Sequence, residues 1–135
     1  MKVTFDENGY VNGWCMIGDN GGMELEPPDD FDTFLDRFSG FKLEDGRMVF
    51  DKEKDDSDRL EEQRSDLRLR RETECFSYIN RGYMWYSALT LLQWIELKRW
   101  YLAWLRVTET LTPPDKPPWI DSVDTTRIPD TPWKL

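Results

Sequence analysis

Apolar positions change their period partway along this chain. From Lys2 to Glu26 they tend to alternate: Val3 and Phe5 against Lys2 and Thr4, then Tyr10 to Ile17 (YVNGWCMI), then Met23-Glu24-Leu25-Glu26. A period of two is that of a half-buried strand. Turn-forming stretches separate the runs, Asp6-Glu7-Asn8-Gly9 and Gly18-Asp19-Asn20-Gly21-Gly22. Residues 2–18 therefore predict a β-hairpin, with Gly13 placed to mark a bulge. A further short strand at 23–26 ends at Pro27-Pro28, where the backbone donors are lost. Phe31, Phe34, Leu35 and Phe38 then fall at helical spacing, with Asp29 or Asp30 as the cap and Gly40 as the stop. Asp45-Gly46, between Phe41-Lys42-Leu43 and Met48-Val49-Phe50, predicts a second hairpin on a type I′ turn. The first fifty residues thus read as a small antiparallel meander of four or five strands.

Beyond Asp51 the pattern is helical. Residues 51–71 (DKEKDDSDRLEEQRSDLRLRR) mix both signs of charge densely, and Asp58 and Glu61 lie within reach of Arg64 and Arg68 along a helix. Leu60 and Leu67 are one heptad apart, which leaves a solvated linker helix and a short oligomeric coiled coil as the two readings. From Glu72 to Leu89 the helix is expected to continue, with Phe76, Ile79, Tyr83 and Tyr86 on one stripe; Gly82 inside it costs roughly 1 kcal/mol. Thr90-Leu91-Leu92-Gln93 matches a capping box, so a second helix starts near Leu91. Its apolar stripe is Trp94, Leu97, Tyr101, Trp104 and Leu105, with Arg99, Ala103 and Arg106 away from the centre. The short connection at Leu89-Thr90 folds the two helices into an αα-hairpin. Pro113-Pro114, Pro117-Pro118-Trp119 and Pro129…Pro132-Trp133 make the remainder a proline-rich tail, either laid back on the hairpin or presenting Trp133 to a partner.

The expected fold class is therefore α+β: a small acidic β-rich domain at 1–51, a charged helical linker at 52–71, a Trp-rich helical hairpin at 72–111 and a proline-rich tail at 112–135. Charge follows this division. Residues 1–50 hold 11 acids and 4 bases, and account for −7 of the net −9. Such acidity disfavours direct nucleic-acid binding, which needs cations to neutralise phosphate. It suits a surface for a basic partner, with Asp29, Asp30, Asp32 and Asp36 as the candidate acidic patch.

Chemistry is hard to place. There is no histidine, which removes the commonest general acid–base and the commonest metal ligand. Cys15 and Cys75 are sixty residues apart without CxxC spacing, so no zinc site is expected and free thiols are favoured over a disulfide. Asp-Asp-Ser-Asp at 55–58 lacks the glycine and the bidentate glutamate of a calcium loop. The paired acids lie in solvated stretches, no phosphate loop is present, and no serine has a base to activate it. No cofactor is expected, and the chain reads as non-enzymatic. The opening MKVTFDENGY lacks a signal-peptide core and no 18-residue apolar run occurs, so neither secretion by a signal peptide nor membrane insertion is expected. What stands out is aromatic density: Trp85, Trp94, Trp100, Trp104 and Trp119 within 35 residues, and Trp133 beyond. Such stripes usually form a core, but interfaces are also enriched in Trp and Tyr, so these six are the candidate partner-binding residues.

The run from Arg70 to Ile120 carries a resemblance. Leu-Thr-x-x-Gln at 89–93, Trp-Tyr-x-x-Trp-Leu at 100–105 and the Thr-Glu-Thr…Pro…Lys-Pro…Trp-Ile close at 108–120 resemble the C-terminal half of small proteins encoded beside tail-fibre genes in phages and prophages. These are the tail-fibre-associated or tail-fibre-assembly-like proteins. The opening MKVTFDENGYVNGW and the hairpin FKLEDGRMVFD are similar to theirs as well, so the likeness extends over about residues 1–120. It implies a structural or assembly role on a tail fibre or baseplate through protein–protein contacts, without catalysis. The expected setting is the host cytoplasm during assembly or the virion itself, and homo-oligomerisation is expected. The chain departs from the pattern at Leu91-Leu92 and by adding residues 121–135, and both departures add apolar surface. Two other readings remain open: an acidic phage-encoded inhibitor that imitates nucleic acid before a host defence protein, and a small-ligand-binding protein with an aromatic pocket.

Overall fold

The computed structural model describes residues 1–128, so Trp133 lies outside the described residues. With 48% of residues in helices and 16% in strands, the fold is α+β. Met1–Leu60 and Glu61–Leu135 form two compact units, and each is considered by itself. The division falls inside a helix rather than at the expected 51/52 edge.

In the first unit, β1 (Lys2–Phe5) is the middle strand of a three-stranded antiparallel sheet, with β2 (Val11–Cys15) on one side and β3 (Met23–Glu24) on the other. The predicted bulge is present. Thr4 faces Gly13 but Phe5 faces Val11, so Asn12 is the extra residue. The 2–18 hairpin closes on Asp6, whose carboxylate accepts the backbone N–H groups of Asn8 and Tyr10, each at 2.9 Å. Helix α1 (Phe31–Arg37) is capped by Asp30 and followed by a 3₁₀ turn to Gly40. Strands β4 (Phe41–Glu44) and β5 (Arg47–Phe50) form the second hairpin. Asp45 and Gly46 both have positive φ, 52° and 78°, as a type I′ turn requires. The five strands are thus divided between two sheets, bridged at Tyr10 and Lys42.

The interior of this unit is Val3, Val11, Phe34, Phe41 and Met48. Phe34 is fully buried, with its ring 5.2 Å from Phe41, 5.5 Å from Trp14 and 5.9 Å from Phe31. One charge is buried beside this core. Asp55, only 3% exposed, lies in the first turn of α2 (Lys52–Arg71). It accepts from Arg37 Nε at 2.6 Å and from Arg59 Nε at 2.9 Å. Burial pushes the carboxyl pKa up, but the two guanidinium hydrogen bonds and their charges outweigh it and hold Asp55 below the usual carboxylate range. Gly40 makes room at this point, since a Cβ there would come within 2.9 Å of the Phe50 ring and 3.2 Å of Asp55 Cβ.

In the second unit the core is Leu67, Cys75, Trp85, Leu89, Leu97, Trp100, Trp104, Val107 and Ile120. Helix α2 is therefore more than a solvated linker, because Leu67 is 4% exposed and belongs to this core. The expected continuous helix over 72–89 is interrupted. A π-helical turn (Glu72–Phe76) leads into a short α3 (Ser77–Ile79), and the chain then breaks at Asn80–Gly82 before α4 (Tyr83–Ser87). Gly82 has φ 93° and ψ 177°, a conformation essentially closed to residues with a Cβ, so the glycine makes a corner rather than a weak helical link. The capping box is present in full: Gln93 N–H donates to Thr90 Oγ1 at 3.1 Å and Thr90 N–H donates to Gln93 Oε1 at 2.9 Å. It opens α5 (Leu91–Leu105), which is followed by α6 (Val107–Thr110). Beyond α6 the described part of the tail, 112–128, packs against this core: Ile120 is fully buried, and Trp119 and Val123 lie against the same core.

The Asp55 cluster gives a pH-dependent contribution with a defined sign. A carboxylate depressed in the folded state stabilises above its unfolded pKa of about 3.9, and the contribution is lost as pH falls through the lower folded value. Asp55→Asn removes the buried charge that both Arg37 and Arg59 meet and costs on the order of 3 kcal/mol at neutral pH. Urea titrations followed through the amide signals of Val3 and Val11 at pH 7 and pH 3 check this. The variant is expected to lose midpoint at pH 7 and to show a smaller further loss on acidification than the wild type.

Candidate functional site

Helix α5 decides what the second unit can present. At 3.6 residues per turn, Leu97, Trp100 and Trp104 share one side, and these are its buried residues. The expected stripe centre is therefore displaced. Leu105 is 41% exposed and Trp94 half-buried, while Trp100 is at the centre. The cause is tertiary, since α5 packs toward Cys75, Leu67 and Ile120, which the helix's own spacing does not report.

Trp94, Lys98 and Tyr101 lie along one flank of the buried side and form one wall of an apolar cavity of about 380 Å³. Leu97, Tyr83 and Tyr86 of α4, and Ile79 of α3 complete its lining. The break at Gly82 builds this cavity, because it turns α4 away from the line of α3. The Tyr86 hydroxyl donates to the Ile79 carbonyl across that break. Lys98 Nζ lies 6.0 Å from the Trp94 ring and 5.8 Å from the Tyr101 ring, so the mouth carries a cation held over two π faces. Tyr83 and Met84 stand beside it, 56% and 71% exposed.

A second and more polar groove, of about 590 Å³, runs past Trp100 and Trp104 on the other flank, between the π-helical turn and Pro113-Pro114. Its charges are largely neutralised in place. Arg70 binds Glu74 at 2.6 Å and Lys116 binds Asp121 at 2.5 Å, and the Tyr78 hydroxyl also meets Asp121. Arg81 stacks on the rings of Tyr78 and Trp85, 4.3 Å and 5.6 Å from their centroids. The hydrogen bond from Arg70 holds Glu74 below the usual carboxylate range, and Lys116 does the same for Asp121. Glu24, Asp30, Asp51, Asp55 and Asp124 are also shifted down, so these acids are ionised at neutral pH and not poised to donate a proton. Among the described residues, no group of three or more Cys, Asp or Glu is placed to hold a metal ion.

Of the six tryptophans singled out from the sequence, Trp85, Trp100 and Trp104 are in the core, 5%, 5% and 2% exposed. Their accumulation is thus explained within the unit, without a partner. Their indole N–H groups are buried without a hydrogen-bond acceptor among the described residues. Trp119 is half-buried and donates its N–H to Glu96 Oε2 at 2.6 Å, which ties the tail to α5. Trp94 alone of the described five lines the apolar cavity. Nothing in the sequence marks Lys98, and only the three-dimensional position of its ammonium over two rings does so. Asp29, Asp30, Asp32 and Asp36 are all exposed. Asp30 has a structural task, however: its carboxylate accepts the Thr33 hydroxyl at 2.6 Å and the Thr33 N–H at 3.1 Å, which lowers its pKa and caps α1.

No protein-family model, curated protein or solved structure matches the chain. The geometry of the hairpin therefore carries the functional reading.

Cys75, in the core of this unit, is fully buried, and desolvation pushes its thiol up to about 11. Cys15 is partly exposed, and both thiols are free. Titration of the native protein with Ellman's reagent at pH 8 is expected to release one equivalent of product quickly, from Cys15, and the second only after denaturation. A Cys15→Ser variant with no fast phase confirms the assignment.

Proposed function

We propose that this chain is a non-enzymatic assembly protein that acts through protein–protein contacts, of the tail-fibre-associated kind its sequence resembles. The observation that carries the reading is the uncovered outer side of α5. Leu91 and Leu92 are 65% and 68% exposed, and Ile95, Leu102 and Leu105 are all above 40%. A helix apolar over most of its circumference is ordinarily buried on every side, and contiguous exposed apolar patches of several hundred Å² mark interaction sites. The aromatic cavity adjoins this surface through Trp94, Lys98 and Tyr101, and it is the kind of pocket an anchoring side chain fills at an interface. The neutralised charges of the polar groove support a role without catalysis.

The cavity also supports a second reading, as a site for a small apolar ligand, because about 380 Å³ of mostly apolar wall is within the range of such sites. The exposure of Leu91 and Leu105 on the same helix as Trp94 favours a macromolecular partner over an enclosed ligand.

Co-expression with the tail-fibre protein of the same genome tests the proposal. The expected result is a complex that survives affinity purification and a larger soluble yield of fibre, both reduced by Trp94→Ala. Absence of any complex, together with an unchanged fibre yield, rejects the assembly role. Saturable quenching of tryptophan fluorescence by small aromatic ligands, lost in Trp94→Ala, would favour the second reading instead.

A further inference from the structure

Along the exposed side of α5 and its C-cap residue Arg106, one line of residues has a stricter pattern than a general apolar patch. Leu92, Ile95, Arg99, Leu102 and Arg106 follow one another at spacings of three, four, three and four. That is the repeat of a coiled-coil seam. All five are exposed, so the seam is uncovered among the described residues. Leu102, Ala103 and the two arginines also line a shallow groove of about 510 Å³ together with Thr110 and Thr112.

The arginines define the occupant. In the second unit the other described cations are engaged: Arg68 and Arg70 with glutamates, Lys116 with Asp121, Arg64 and Arg127 on backbone carbonyls, and Arg71, Arg81 and Lys98 against aromatic rings. Arg99 and Arg106 have no ion pair, side-chain hydrogen bond or ring contact among the described residues. They sit in the seam itself, two turns or about 10 Å apart along the axis. A guanidinium at a seam position is tolerated when a carboxylate of the facing helix neutralises it, and is repelled by another cation. A second copy of α5 is poorly suited. Paired parallel in register, it sets Arg99 against Arg99 and Arg106 against Arg106, and paired antiparallel about the middle of the seam it again brings the two Arg99 side chains together.

We propose that the Leu92–Ile95–Arg99–Leu102–Arg106 seam of α5 docks an acidic amphipathic helix of a different protein. Its leucine-like residues cover Leu92, Ile95 and Leu102, and its carboxylates pair with Arg99 and Arg106. This deepens the assembly reading by naming the chemistry of the partner, and rests on that reading only for the partner's identity. Charge complementarity carries the choice: on a chain of net charge −9, this face presents two unneutralised cations within an apolar line.

The test uses the full chain and labelled three-heptad helical peptides with leucine at the seam positions, flanked by glutamate in one peptide and by lysine in the other. Fluorescence anisotropy is expected to show that the glutamate peptide binds at least ten-fold more tightly than the lysine peptide. In Arg99→Glu/Arg106→Glu the preference is expected to reverse. Both side chains are exposed, and an unchanged far-UV circular dichroism spectrum shows that the variant is folded. Equal affinity for the two peptides, or an unchanged preference in the double variant, overturns the proposal. So does a wild-type dimer in light scattering that the double variant abolishes, because the seam then belongs to a second copy. The same variant in the fibre co-expression assay separates the two inferences. A fibre complex that persists in the double variant sinks the seam and leaves the assembly role standing, whereas no complex with either protein sinks the role and leaves the peptide preference to judge the seam.

Discussion

Helix α5 has more apolar circumference than its own unit can cover. Leu97, Trp100 and Trp104 meet the core formed with Cys75, Leu89 and Ile120, and this fixes the rotation of the helix. Every other apolar residue on it must then point somewhere less protected. Trp94 and Tyr101 reach a flank where α4 leaves a cavity, and Leu91, Leu92, Ile95, Leu102 and Leu105 are left in solvent. Rotating the helix to bury those leucines would expose two tryptophans. Each large apolar side chain taken out of that core forfeits about 1.5–3 kcal/mol. The surface that carries the functional proposal is what remains once the core has been satisfied.

The first unit solves a different problem. Its interior is small, and a carboxylate is buried beside it. Asp55 is tolerable there because Arg37 and Arg59 approach it from different elements, one the last residue of α1 and the other a turn further along α2. Replacing such a cluster by apolar residues is often neutral or stabilising, so its value lies more in fixing geometry than in net stability. It joins the end of α1 to the start of α2, while Tyr10 joins the first hairpin to Asp51 at 2.8 Å. Asp51 in turn accepts the Lys54 N–H at 3.2 Å and so caps α2. Polar contacts thus set the angles of the unit, and Phe34 with its aromatic neighbours fills it.

What could be read from the sequence was local. Asp45-Gly46 encodes its turn in two residues, and Thr90 with Gln93 encodes a helix start in four. Both are present as expected, because their hydrogen bonds and dihedral angles involve almost no distant partner. From sequence Gly82 reads only as a cost to helix stability, since glycine inside an apolar period signals either a weak helix or a corner, and only packing distinguishes them. Burial of Asp55 was hidden in a run of acids that looks solvated, because its two arginines are 18 and 4 residues away and one of them belongs to another element. The candidate site was legible in part. The wheel placed Trp94 and Tyr101 on α5's apolar face and Tyr83 and Tyr86 on the preceding stripe. It gave no means of telling which tryptophans would be taken into the core.

Exposing a helix face of this kind invites self-association, and two features of the chain oppose it. The charge of −7 on residues 1–50 makes copies repel one another at low ionic strength, over a Debye length of about 10 Å at 0.1 M salt. On the proposed seam, Arg99 and Arg106 add a local obstacle, because the symmetric pairings of two α5 helices bring like charges together. The apolar residues of the face supply attraction without choosing a partner, and the arginines supply the choice by penalising all but a facing helix that brings carboxylates. On the proposed seam, the charge pattern thus works against a symmetric pairing of two α5 helices. The same residues that make α5 look over-apolar for a free protein suit a module that stays apart from its own copies until an acidic partner covers it.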